Sequence, residues 1–179
     1  KLENSMAQNM LGLIASDKKD YKTAFGWYTK AVETNKKNIA ALYKLGDCYQ
    51  RGEGVIRDIG KAKEYYTKAA ELGDSDSQNK LGDMAYSKKN YREAERLYKK
   101  AIETNEKNAD ALFKLGRCYY ISYDEKTAKK YLLKAIELGK TDAAPFLGWI
   151  YFNEGNYVES LGYFRDGARN NDPGSVFML

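Results

Sequence analysis

The side chains able to do chemistry in this sequence are few and poorly spaced for it. The 179-residue chain contains no histidine, which removes every imidazole-based acid–base, nucleophilic or metal scheme. Its two cysteines, Cys48 and Cys118, lack the short spacing of a metal site. Gly52-Glu53-Gly54 is a lone G-x-G with an acid between the glycines; it follows a helical segment instead of a strand, so a phosphate loop is not indicated. Carboxylates are plentiful, yet they are interleaved with lysines in the manner of i,i+4 pairing on a helix surface. No acid, base and nucleophile converge. No catalytic residue, metal ligand or cofactor is therefore expected.

Charge narrows the partners. Thirty Lys and Arg against 25 Asp and Glu give a net charge of +5, with no long block of one sign, so a nucleic-acid tail is not indicated. Sixteen tyrosines could stack on bases, which keeps a helical-repeat RNA binder as a rival. Against it, many tyrosines fall at core spacing, and Asp47 and Asp83 would repel phosphate. No apolar run approaches the ~18 residues that span a bilayer, so membrane insertion is not expected. The sequence starts at Lys1 without a methionine or signal-type segment, which reads as a fragment or processed product. Two unpaired cysteines and no such segment lean towards a cytoplasmic address without fixing it.

What positions these residues is a repeat. Leu-Gly recurs at Leu11-Gly12, Leu45-Gly46, Leu81-Gly82, Leu115-Gly116 and Leu147-Gly148, spaced by 34, 36, 34 and 32 residues; Leu179 falls 32 further on. Each is followed by a small–large–small set: Ala24/Tyr28/Ala31, Ala62/Tyr66/Ala69, Ala94/Tyr98/Ala101, Ala128/Leu132/Ala135 and Ser160/Phe164/Gly167. The offsets i, i+4 and i+7 put each set on one face of a helix. The small members let a neighbouring helix approach, and the large one fills the space between. A glycine in mid-helix costs roughly 1 kcal/mol, so close packing must offset it. A longer period overlies this one. Residues 21–49 and 91–119 match at 17 of 29 positions, so a two-repeat unit is duplicated at an offset of 70 and the cysteines are copies of one position.

These offsets resemble the tetratricopeptide repeat family along essentially the whole chain. Residues 39–82 are similar to the Sel-one-like variant, through the lengthened turn Gly52–Val55, Lys61-Ala62 and the segment YYTKAAELGD. Proline is missing at the usual inter-repeat positions, where Asn38 and Asn108 stand instead, and tryptophan at the usual early helix position. The resemblance implies an all-α, right-handed α-solenoid of antiparallel helix pairs forming a single array. Its repeats are expected at 5–38, 39–74, 75–108, 109–140 and 141–172, and a sixth starts at 173–179 with Val176 and Leu179 on its apolar face. First helices are expected at 5–16, 39–51, 75–87, 109–121 and 142–153, and second helices at 21–35, 59–72, 91–104, 124–138 and 157–170. Asp20 and Asn90 read as N-caps.

In that family the first helices line a concave groove, which implies a scaffold or adaptor holding a protein or peptide. The groove side reads Asn9 and Leu13; Tyr43, Asp47 and Gln50; Asp76, Asn79, Asp83 and Tyr86; Asp110, Phe113, Arg117 and Tyr120; Trp149 and Phe152. The partner-binding candidates are Tyr43, Asp47, Asn79, Asp83, Phe113, Arg117, Tyr120, Trp149 and Phe152. Acidic in the middle and aromatic towards the C-terminal end, this lining fits an extended segment with basic and apolar side chains. Trp149 and Phe152 fit equally well as cover for a following repeat. The lysine/asparagine clamp of chaperone-tail binders is absent. The alternative function is a structural array that self-associates end to end through its C-terminal edge.

Overall fold

The computed structural model describes residues 2–169. Among them are ten α-helices, one 3₁₀ turn and no strand: α1 (Leu2–Asp17), α2 (Tyr21–Thr34), α3 (Ile39–Arg51), α4 (Ile59–Glu71), α5 (Ser75–Ser87), α6 (Tyr91–Thr104), α7 (Ala109–Ile121), α8 (Glu125–Glu137), α9 (Ala144–Asn153) and α10 (Tyr157–Arg169). The fold is an all-α helical-repeat solenoid. The expected sixth first helix, with Val176 and Leu179, lies outside the described residues.

Turn chemistry sets the boundaries. An Asp or Asn side chain caps each of seven helices, α2 to α8, accepting a backbone N–H at 2.8–3.3 Å; the caps are Asp20, Asn38, Asp58, Asp74, Asn90, Asn108 and Asp124. Each is worth about 1 kcal/mol against alanine. Asn38 does more than cap: its Nδ2 donates to Ser5 O at 3.1 Å and Ser5 Oγ at 2.7 Å, while Ser5 Oγ donates to Ala31 O at 2.8 Å. Asparagine thus joins α1, α2 and α3 at a junction where proline would have no donor. The C-terminal first helix departs from expectation: Thr141–Ala143 form a 3₁₀ turn, and α9 begins at Ala144 with Pro145 in its first turn, where a missing N–H costs nothing.

The chain falls into two compact units that part at Leu81/Gly82, within α5. In the first, α1 packs on α2, α3 on α4, and α2 on α3. In the second, α7 packs on α8, α9 on α10, α6 on α7 and α8 on α9. The small–large–small sets are the core of both. Tyr28, Tyr66, Tyr98, Leu132 and Phe164 are all at most 2% exposed. The recurrent glycine is the space they occupy: a methyl at Gly46, Gly82, Gly116 or Gly148 would sit 2.5–2.8 Å from the ring or side chain of Tyr66, Tyr98, Leu132 or Phe164. In the Sel-type turn Gly52 adopts φ +76°, and a methyl at Gly54 would run into the Tyr21 backbone, so both glycines are obligatory there.

Candidate partner-binding face

The two candidate aspartates on the first helices, Asp47 and Asp83, are already paired within their own units. In the first unit, Tyr66 Oη of α4 lies 2.6 Å from Asp47 Oδ1 and 2.7 Å from the Gln50 side-chain amide. A phenol has a single proton, which goes to the carboxylate. Lys80 Nζ, from α5, lies 3.9 Å from the same Asp47 oxygen. Asp47 is only 9% exposed and Asn79 5%. Tyr43 is half-buried, its ring 5.7 Å from that of Tyr66. Of these candidates Tyr43 is the one left partly exposed; Asp47 and Asn79 lie beneath the surface.

The second unit repeats the device. Asp83 accepts from Tyr98 Oη at 2.9 Å and from Lys114 Nζ at 2.8 Å. Burial raises the ionisation of Tyr66 and Tyr98 well above the ordinary phenol range, and their carboxylate partners, Asp47 and Asp83, reinforce it. Asp47 and Asp83, two of the aspartates expected to make the groove acidic, are therefore each faced by a lysine of the following first helix. The signal was in the sequence: Lys44, Lys80 and Lys114 each stand directly before a Leu-Gly.

Further along the second unit the pattern inverts. Arg117 stands where Asp47 and Asp83 stand in their repeats, and no carboxylate pairs with it among the described residues. Its guanidinium lies 5.5 Å from the ring centre of Phe113, 5.7 Å from that of Tyr86 and 5.7 Å from that of Phe146. Phe146 also meets Phe113 at 5.8 Å and Tyr120 at 5.4 Å, so these rings form one box. Phe113, 9% exposed, is its floor; Arg117 and Tyr120 are half-buried. Two clefts flank the arginine. One, of about 120 Å³, is lined by Asp83, Tyr86, Tyr98, Lys114 and Arg117. The other, of about 260 Å³, runs past Phe113, Thr141, Asp142, Pro145 and Phe146. A larger depression lies over α6, but four of its lining charges are paired along that helix, Arg96 with Glu93 and Lys99 with Glu95, each at 2.7 Å.

Trp149 and Phe152 stand apart from this box. They pack on each other at 5.9 Å, Trp149 on Phe164 at 5.4 Å, and Phe152 on Tyr157 at 5.5 Å, remaining 38% and 39% exposed. The aromatic C-terminal lining is thus two clusters. Phe146 was missed in the sequence because the position before Leu-Gly is lysine in three earlier repeats. Neither cysteine is bridged; burial pushes the Cys48 thiol to about 12 and the Cys118 thiol to about 11, so both stay protonated at neutral pH.

Family models agree with this architecture. The Sel1 repeat matches residues 39–74, the tetratricopeptide repeat 7–38 and 109–142, and a further TPR repeat model 82–120. The chain belongs to the tetratricopeptide and Sel1 repeat family. A TPR repeat-containing protein of Methanocaldococcus jannaschii is 30% identical over 125 residues, 67% of this chain and 37% of that protein. The chain thus spans little more than a third of that relative's length. Among solved structures, a Sel1 repeat protein from Oxalobacter formigenes superposes with a TM-score of 0.80 at 29% identity, covering 96% of this chain and 75% of the other. YrrB, described as a TPR protein with an unusual peptide-binding site, shares the fold at a TM-score of 0.66 and 22% identity, over 98% and 91% of the two chains. Proteins of this family are commonly protein-interaction scaffolds. Among the described residues no cluster of side chains could hold a metal ion, and no helix is long and apolar enough to cross a membrane.

Proposed function

We propose that this chain is a non-catalytic interaction scaffold that holds an extended peptide or protein segment on the face of its first helices. Phe113, Arg117 and Tyr120 form the principal contact, with Asp83 framing one side. Tyr43, its ring against Tyr66, is the contact in the first unit, where Asp47 and Asn79 are buried, and Trp149 and Phe152 extend the surface near α10. The observation that carries this reading is the half-buried box of rings around Arg117 with a cleft on each side. Partly exposed aromatics around an arginine are the composition of interface hot spots. The peptide-binding site named for YrrB is consistent with it.

The test is a phage-displayed library of random peptides selected on the immobilised protein, followed by hydrogen-exchange mapping of the enriched peptides. Protection is expected in α7, α9 and the C-terminal half of α5. Protection confined to the outer surfaces of α6 or α8 would overturn the reading.

A second reading, end-to-end self-association, has its own observation. Leu45, Leu115 and Leu147 are at most 1% exposed, yet their counterpart Leu11 on α1 is 42% exposed, beside Met6, Met10 and Ile14 at 67%, 55% and 49%. On α10, Tyr157, Val158 and Leu161 are 63%, 84% and 37% exposed. Light scattering over a concentration series decides it: stacking gives a mass that grows with concentration and that Ile14→Lys abolishes. A constant monomer mass rules it out.

A further inference from the structure

We infer that the residue captured at Arg117 is an internal aspartate or glutamate of the partner, flanked by aromatic or proline side chains. This deepens the peptide-scaffold reading and rests on it, but it reverses the partner charge expected from the sequence, a basic segment.

Three observations lead there. First, two of the aspartates that argued for a basic partner are already paired, Asp83 with Lys114 at 2.8 Å and Tyr98 at 2.9 Å and Asp47 with Tyr66 at 2.6 Å, and Asp142 of the neighbouring cleft is paired with Lys140 at 2.8 Å. Second, Arg117 is a cation with no carboxylate partner among the described residues, and its buried Nε–H meets no acceptor. A buried donor without an acceptor carries an unrecovered desolvation cost, so the protein itself has not built this guanidinium into an ion pair. The rings of Tyr86, Phe113 and Phe146 favour the guanidinium electrostatically but accept none of its in-plane hydrogen bonds. The planar fork is left to take a carboxylate, bidentate, in partly desolvated surroundings where such pairs are strongest.

Third, the position of the clefts selects the kind of carboxylate. A chain terminus needs a pocket that ends at the cation. Here the lined space continues on both sides, towards Tyr86 and Lys114 in one direction and towards Pro145 and Phe146 in the other. A strand running through presents a side-chain carboxylate at Arg117 and places its neighbours against the rings. The cleft beside Phe113, Pro145 and Phe146 suits a flat apolar side chain.

The test is a parallel selection of one random phage-displayed peptide library on the wild-type chain and on Arg117→Gln, with circular dichroism confirming equal helicity. The wild-type pool is expected to enrich one Asp or Glu flanked by Phe, Tyr, Trp or Pro. Changing that acid to Gln in an amidated synthetic peptide should weaken binding at least about tenfold on the wild type, equivalent to about 1.4 kcal/mol, and leave Arg117→Gln unmoved. Arg117→Lys should recover only part, since an ammonium lacks the fork. Wild-type enrichment of basic or charge-indifferent peptides on this face would overturn the inference and leave the scaffold reading standing. Enrichment only of peptides ending in a free carboxylate would also overturn it. If no peptide enriches on either protein, the groove reading falls and takes this inference with it.

Discussion

Asp47 and Arg117 occupy the same place in the two copies of the 70-residue duplication, yet they sit in opposite chemistries. Around Asp47 stand the Tyr66 phenol and the Lys80 ammonium. At the matching positions around Arg117 stand Leu132 and Phe146, neither of which carries a donor or a charge. The opposite central charge goes with the absence of the hydroxyl and of the lysine, as electrostatics requires. A cation there would meet like charge from lysine, whereas an aromatic ring accepts it on its face. Asp83, with Tyr98 and Lys114, retains the acidic version. One scaffold position therefore serves cohesion in one repeat and exposes an unspent charge in another.

Deleting each of the two charges in turn separates their roles most sharply. Asp47→Ala removes the charged acceptor of the Tyr66 hydroxyl and the counter-charge of Lys80, leaving only Gln50 beside the hydroxyl, and should lower unfolding free energy by about 2–3 kcal/mol in urea titration. Arg117→Leu should change it by less than about 1 kcal/mol, because it leaves no buried partner behind. Equal losses would mean that Arg117 is structural. Next comes a transplant: Asp83→Arg alone should cost about 2 kcal/mol by placing a cation beside Lys114. Adding Tyr98→Leu and Lys114→Phe should recover much of that, with a coupling of about 0.5–3 kcal/mol in the mutant cycle. Additive losses would refute the three-residue unit.

Smaller still is Tyr66→Phe, expected to cost about 1–2 kcal/mol near neutral pH. Its value lies in the pH profile. Tyr66 and Tyr98 hold their protons more tightly when folded, so their contribution is complete below the unfolded pKa of about 10 and is lost as pH rises. Cys48 acts in the same sense from about pH 9 up to about 12. Melting temperature should fall above pH 10, less steeply in Tyr66→Phe; a profile flat to pH 11 would contradict the buried-phenol account. The smallest effect belongs to the turns. Lys19, Lys89 and Tyr123 adopt φ near +60°, where the equivalent residue before α10 is Gly155. Tyr123 is 91% exposed, so Tyr123→Gly should relieve strain and raise stability by up to about 1 kcal/mol.

Helix order, pairing and caps were legible from residue spacing. The Leu-Gly and small–large–small recurrences place a glycine under each large side chain, and Asp20 and Asn90 cap as read. Such contacts lie within one helix pair, so periodicity alone specifies them. The candidate face was legible only in position. Asp47 and Asp83 were read as free acids because their lysine partners come from the following repeat, and the side chain of Lys80 or Lys114 had no direction until α5 and α7 were packed. Phe146 was invisible for the same reason: only packing turns it, Phe113, Tyr86 and Tyr120 towards one guanidinium. Local periodicity decides which helices form and which faces they bury. Which charge remains to greet a partner depends on contacts between repeats, and those exist only once the helices have stacked.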